Sequence, residues 1–121
     1  MKAALESLGA SVAVCETAAR GDAARLAGAA RGRGYDRLVV AGGDGTINEA
    51  VNALAGSTLP LAIVPMGTAN VLATEIGLAA EARAIAETAL NGPVARIALG
   101  EVNGRRFTMM AGVGFDAQVV R

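Results

Sequence analysis

Leu38–Asn52 reads LVVAGGDGTINEAVN, and the fold follows from how this stretch divides. The apolar run Leu38-Val39-Val40-Ala41 predicts a short buried strand. Gly42-Gly43-Asp44-Gly45 predicts a tight loop, and Thr46 then opens a helix with Ile47, Val51 and Leu54 on its inner side. Glycine permits positive φ and lets a ligand come close to the main chain. A helix directly behind such a loop presents unpaired N–H groups and the positive end of its dipole, which suits a phosphate. Asp44 conflicts with that setting. A carboxylate in a phosphate cradle is repulsive unless it holds a metal ion, accepts a proton or orients a hydroxyl.

Downstream the same design recurs. Leu61-Ala62-Ile63-Val64 predicts a strand, Pro65-Met66-Gly67-Thr68 a glycine loop, and Ala69 to Ile76 a helix closed by Gly77. Thr46 with Asn48 and Thr68 with Asn70 occupy matching places. Upstream, Lys2 to Leu8 predicts a short helix, and Val12 to Cys15 a strand ending at Glu16-Thr17. Gly21-Asp22 reads as turn and N-cap of a helix from Ala23 to Arg31. Glu81 to Leu90 predicts a further helix, with Asn91-Gly92 as a left-handed stop. Arg96 to Val102 and Arg105 to Met110 then form a hairpin about Asn103-Gly104.

Strands alternating with helices indicate an α/β domain with a mostly parallel sheet, whose ligand site lies beyond the carboxyl ends of the strands. Thr17, Asp44 and Thr68 all fall at such ends, so three segments are expected to converge on one crevice. The chain has 121 residues, 53% of them hydrophobic, with three aromatic residues, Tyr35, Phe107 and Phe115. The core must therefore be aliphatic and rich in alanine. A formal net charge of zero and the lack of a basic cluster argue against nucleic acid as a partner. There is no histidine, which excludes a catalytic imidazole, and Cys15 alone can form neither an internal disulfide nor a cysteine-based zinc site. It is expected to be buried. No apolar run reaches membrane-spanning length, and no signal peptide is visible at Met1. A cytoplasmic setting is expected.

Two phosphate motifs can be tested directly. A P-loop needs a lysine after its glycines, and the only lysine is Lys2. The dinucleotide fingerprint needs a third glycine or alanine where Asn48 stands, and no acid ends the following strand to hold a ribose. What remains is a nucleoside triphosphate resting on Gly43, Gly45 and the mouth of the following helix. Thr46 either caps that helix or bonds a phosphate oxygen. Glu49 is either a dipole-complementing surface acid or a contact to adenosine or a metal ion.

On these residues the sequence resembles the catalytic domain of the diacylglycerol kinase family, which includes bacterial lipid kinases and sphingosine kinases. The match runs through Gly42-Gly43-Asp44-Gly45-Thr46 with Ile47-Asn48-Glu49, then Pro65-Met66-Gly67-Thr68-Ala69-Asn70. Thr17 with Gly21-Asp22-Ala23, and Ala111-Gly112-Val113-Gly114-Phe115-Asp116, extend it. The shorter Gly-Gly-Asp-Gly-Thr also occurs in NAD kinases and, in related form, in phosphofructokinases.

The resemblance implies a three-layer α/β domain like that of NAD kinases and diacylglycerol kinases, over residues 1–111, with a C-terminal β-hairpin. It implies ATP-dependent phosphorylation of a lipid hydroxyl at a membrane surface, with Mg²⁺. Carried over by position, Thr17, the run Gly42, Gly43, Asp44, Gly45, Thr46, Ile47, Asn48 and Glu49, and then Gly67, Thr68 and Asn70 would contact ATP. Asp44 would act as base or as a metal-linked group, and the metal site itself is unassigned. The chain also departs from the family. The first strand and its Asn-Pro-x-x-Gly loop have no counterpart, which would leave neighbouring strands without a ladder partner. Residues 112–121 are expected to begin a β-sandwich that the sequence does not contain. Val71 stands where many relatives carry an aspartate after the second-motif asparagine. The chain is thus expected to be the nucleotide-binding part of a lipid kinase, with a peripheral position at the inner membrane face and a homo-oligomer left open. The alternatives are an NAD kinase, which should carry an Asn-Thr-Asp-like second motif absent here, and a non-catalytic nucleotide-binding or interaction domain.

Overall fold

A computed structural model describes residues 1–112. The elements follow in the order α1 (Lys2–Ser7), α2 (Asp22–Ala30), β1 (Leu38–Gly42), α3 (Asp44–Leu54), β2 (Leu61–Pro65), α4 (Val71–Glu75), α5 (Ala82–Asn91), β3 (Gly100–Val102) and β4 (Arg105–Phe107). β1 and β2 pair in parallel, Leu38 opposite Leu61 through Gly42 opposite Pro65. This register is the one that brings the two glycine loops side by side, because both strands end level.

Alternation along the two strands sorts their side chains to opposite faces. Val40 and Ile63 pack into one cluster with Ala27 of α2, with Ile47, Ala50, Val51 and Leu54 of α3, and with Ala73 of α4. Val39 and Ala62 pack on the other face, against Leu5 of α1 and Ala86 and Ala89 of α5. The result is helices on both sides of a parallel sheet, the α/β architecture expected from the sequence. Alanine lets the helices come close. On α2 the buried residues are Ala23, Ala27 and Ala30, a stripe at helical spacing, while Ala50 of α3 is fully buried.

Several local expectations are corrected. Residues 12–15 form no ladder, and the segment from Ala10 to Ala18 has no regular structure; Val14 and Cys15 are exposed. Apolar alternation reports a tendency to pair, but pairing requires a partner strand alongside, and no such strand stands there among the described residues. The hairpin arms are also shorter than predicted, three residues each, with Val94 and Ile97 exposed before them. Its turn is as expected: Asn103 and Gly104 both have positive φ, 51° and 74°, which a two-residue type I′ connection demands.

Gly92 is not a left-handed stop. Its φ and ψ are −64° and 155°, and it ends α5 by giving its N–H to Thr88 O at 2.8 Å. Pro93 follows, and the residue before a proline is driven to the extended region. Two helices begin elsewhere than predicted: α3 starts at Asp44, two residues before Thr46, and α4 starts at Val71, after Asn70 takes a left-handed turn at φ 49°. Of the motif at residues 111–116, all beyond Gly112 lies outside the described residues, as does almost all of the expected start of a second domain.

The close α2–α3 packing generates a test. Ala50→Leu inserts a branched side chain where α3 meets α2 and the sheet, and should destabilise the chain by about 1–3 kcal/mol. Urea denaturation followed by circular dichroism would show it as a lower midpoint with an unchanged slope.

Candidate functional site

The two glycine loops touch backbone to backbone. A Cβ built on Gly67 would come within 2.7 Å of Gly43 Cα, and one built on Gly43 within 3.3 Å of Gly67 Cα. Neither residue has positive φ; Gly43 lies at φ −85° and ψ −177°. Glycine is therefore required here for close approach and not, as the sequence suggests, for a left-handed turn. Gly42 is constrained in the same way by Thr46, whose Cβ would lie 2.7 Å from an added Cβ. The one glycine of this loop with open space around it is Gly45.

A carboxylate fastens the contact. Asp44 Oδ1 accepts the N–H of Val71, the first residue of α4, at 2.8 Å, so the acid of the first motif caps the helix of the second. Asp44 Oδ2 has no hydrogen-bond partner among the described residues. Asn70 completes the second loop by itself: Gly67 N–H donates to its Oδ1 at 2.8 Å and its Nδ2 donates to Gly67 O at 2.6 Å. Thr68 is exposed on the rim of that loop.

The amino end of α3 is open. The first intrahelical bond of α3 runs from Ile47 N–H to Gly43 O, and no side chain among the described residues caps the helix. The N–H groups of Asp44, Gly45 and Thr46 thus precede it without an intrahelical acceptor. Gly45 and Thr46 line a cavity of about 500 Å³, whose other walls are residues 17–20, Ala23, Glu49 and Arg105. A second depression, of about 300 Å³, lies at the opposite ends of the strands around Tyr35, Asp36 and Ser57 to Pro60. It is remote from both glycine loops, and the larger cavity is the one with convergent polar groups.

Thr17 reaches that cavity on a segment shaped by two acids. Glu49 Oε1 accepts Gly21 N–H at 2.9 Å across 28 residues of sequence. Asp22 Oδ2 accepts from Ala18 and Ala19 N–H at 2.9 and 3.1 Å, and Asp22 Oδ1 accepts from Arg25 at 3.0 Å. The Ala18 amide foremost, then the Arg25 guanidinium and the Ala19 amide, hold the Asp22 carboxyl below its ordinary value of 3.8. Asp22 is therefore not the N-cap predicted for α2; that place is taken by Gly21 in the left-handed region, φ 93°, and Asp22 points back along the chain.

The residues singled out in the sequence are thus only partly assembled. Thr17, Gly45, Thr46 and Glu49 share one cavity wall. Gly42, Gly43, Asp44, Gly67 and Asn70 form the braced pair of loops beside it. Thr68 stands outside the cavity lining, and Asn48 serves α3 by accepting the Asn52 amide at its carbonyl. Ile47 is in the core, 2% exposed, with its N–H spent inside the helix. Sequence reasoning missed Arg105, which enters from the hairpin. Its only signal was a cation beside the Asn103-Gly104 turn.

Comparison with known proteins decides the family. The diacylglycerol kinase catalytic domain profile matches residues 1–102. The chain belongs to that family. It is 39% identical over 112 residues to a diacylglycerol kinase of Bacillus subtilis, covering 90% of this chain and 37% of that protein. It is 43% identical over 119 residues to a probable YegS-like lipid kinase of Pseudomonas aeruginosa, covering 97% and 39%. A diacylglycerol kinase crystal structure from Bacillus anthracis superposes with a TM-score of 0.75 at 28% identity, over 86% of this chain and 37% of the other. The chain therefore spans under two-fifths of the length of these relatives and matches the kinase family in sequence and in fold.

The contact between the loops predicts an asymmetry among the glycines. Gly67→Ala should cost about 1–3 kcal/mol, because the new methyl meets main chain that cannot swing aside. Gly45→Ala, entering open space, should leave stability within about 0.5 kcal/mol of the parent. Denaturation midpoints of the two variants measured side by side would check it; equal midpoints would contradict the geometry.

Proposed function

We propose that this chain is the nucleotide-binding part of an ATP-dependent lipid kinase of the diacylglycerol kinase type. The observation that carries the reading is the brace between loops, Gly43 on Gly67 and Asp44 on Val71 N–H, beside an uncapped amino end of α3. Phosphates of ATP would lie on the N–H groups of Gly45 and Thr46, where main-chain dipoles and open space at Gly45 favour an anion. The rest of the nucleotide would extend from there into the cavity beside Thr17, whose volume of about 500 Å³ is ample for it. Thr68 on the neighbouring rim would meet the distal phosphates.

Phosphoryl transfer to an alcohol depends on positioning and on spreading negative charge. The lipid hydroxyl oxygen bonds to the terminal phosphorus, the bond to the ADP oxygen breaks, and the hydroxyl proton departs. Asp44 Oδ2, without a partner among the described residues while Oδ1 is fixed by Val71, is the group we assign to orient the hydroxyl or take that proton. Mg²⁺, when bound with ATP, supplies neutralisation of the phosphate oxygens. It usually keeps several waters and needs one or two carboxylates besides the phosphates, a demand Asp44 fits. The described residues hold no group of three or more His, Cys, Asp or Glu side chains that would bind a metal by themselves. The acceptor, as the relatives' names suggest, is a lipid of the diacylglycerol class reached at a membrane surface; no helix among the described residues is long and apolar enough to cross one.

Calorimetric titration of Mg·ATP into the folded chain tests the reading, with one saturable site expected. Asn at position 44 can still accept the Val71 N–H, so Asp44→Asn should keep the melting temperature within a few degrees. When the chain is joined to the remaining part of the Bacillus subtilis relative, the same substitution should lower phosphate transfer to diacylglycerol by about a hundredfold or more. No saturable ATP binding, or transfer to NAD⁺ in place of the lipid, would refute the proposal.

A further inference from the structure

We infer that Arg105 is an anion-binding residue of this cavity, and that Asn52 is the positioning residue that holds it there. The inference rests on the reading of the cavity as a nucleotide site and adds the source of its positive charge.

Neutralising a triphosphate requires cations, and the chain has a single lysine, Lys2, engaged with Glu6 on α1 at 3.7 Å. The cavity wall contains two guanidinium groups, Arg20 and Arg105. Neither forms an ion pair among the described residues, whereas the adjacent Arg106 pairs with Glu101 across the hairpin at 3.4 Å. Successive strand residues face opposite ways, so β4 directs Arg106 to its strand partner and Arg105 to the cavity. The Glu49 carboxylate on the same wall is held by Gly21 N–H.

A three-residue arm on a two-stranded ribbon is a poor platform by itself. Here it is clamped. Arg106 N–H donates to Asn52 Oδ1 at 2.9 Å, and Asn52 Nδ2 donates to Arg106 O at 2.8 Å. One side-chain amide thus satisfies both main-chain groups of a strand residue, as a neighbouring strand would. A third bond, from Asn52 Nδ2 to Asn48 O at 2.9 Å, fixes the amide on α3 itself. Gly45, Thr46, Glu49 and Asn52 climb the same side of α3 over two turns. Asn52 lies about 10 Å along α3 from its open amino end, and the clamp on Arg106 keeps the neighbouring Arg105 in the cavity wall that Gly45 and Thr46 also line. A planar guanidinium approaching phosphate oxygens from that side complements the main-chain donors at the helix mouth.

Titration calorimetry of Mg·ATP and of adenosine, on the parent chain and on variants with parental circular dichroism, tests both roles. Arg105→Ala, at an exposed position, should weaken ATP about tenfold and leave adenosine unchanged, and Arg105→Lys should restore most of the loss. Asn52→Ala should give a similar loss, and the double variant should bind no more weakly than Arg105→Ala alone, because Asn52 acts through Arg105. Parental ATP affinity in Arg105→Ala, or an equal loss for adenosine, would overturn the role of Arg105. Multiplying losses in the double variant would overturn that of Asn52. Failure of the parent chain to bind ATP at all would instead remove the nucleotide reading on which the inference stands.

Discussion

The site depends on two glycine main chains lying against each other. The parallel register ends β1 and β2 level, Gly42 opposite Pro65, and just beyond these ends Gly43 and Gly67 come into contact. A side chain at Gly67 would force the loops apart, and one at Gly43 would press on Gly67. Asp44 then converts proximity into a joint by accepting Val71 N–H. The helix following the second strand is thereby capped from the first loop.

Polar side chains near this joint are mostly engaged with main chain. Glu49 holds Gly21, Asp22 holds Ala18 and Ala19, and Asn70 holds Gly67. Asn52 holds Arg106. Each bond spans a segment without regular structure or a short ribbon, where few apolar contacts are available to fix the chain. In a small alanine-rich domain, local positions must be set this way, since the hydrophobic clusters lie on the two faces of the sheet and not at its carboxyl edge. Left without partners among the described residues are donors that suit an anion, the N–H groups at the start of α3 and the guanidinium groups of Arg20 and Arg105, and one acceptor that suits a hydroxyl or a cation, Asp44 Oδ2.

Much of this was legible in the sequence. The strand–loop–helix reading of Leu38–Asn52 and its repeat at Leu61 to Glu75 located both loops, and the periodicity of Ile47, Val51 and Leu54 gave the buried face of α3. The Asn103-Gly104 turn was readable because its chemistry is local. Some errors are local, as at Gly92 before Pro93, and the others arise where the deciding partner is distant in sequence. Val12 to Cys15 has strand composition but no strand beside it. Glycine at position 43 suggests positive φ, but its constraint is the close approach of Gly67, 24 positions away. Arg105 could not be placed at the site because Asn52, 54 residues from Arg106, puts it there.

Two loops braced in this way should bind an anion as one unit, and amide chemical shifts read that most directly. In a ¹⁵N–¹H titration of the chain with Mg·ATP, the resonances of Gly45 and Thr46 in the first loop and of Thr68 and Val71 in the second should move together and fit one dissociation constant. Shifts confined to one loop, or separate constants for the two, would contradict it.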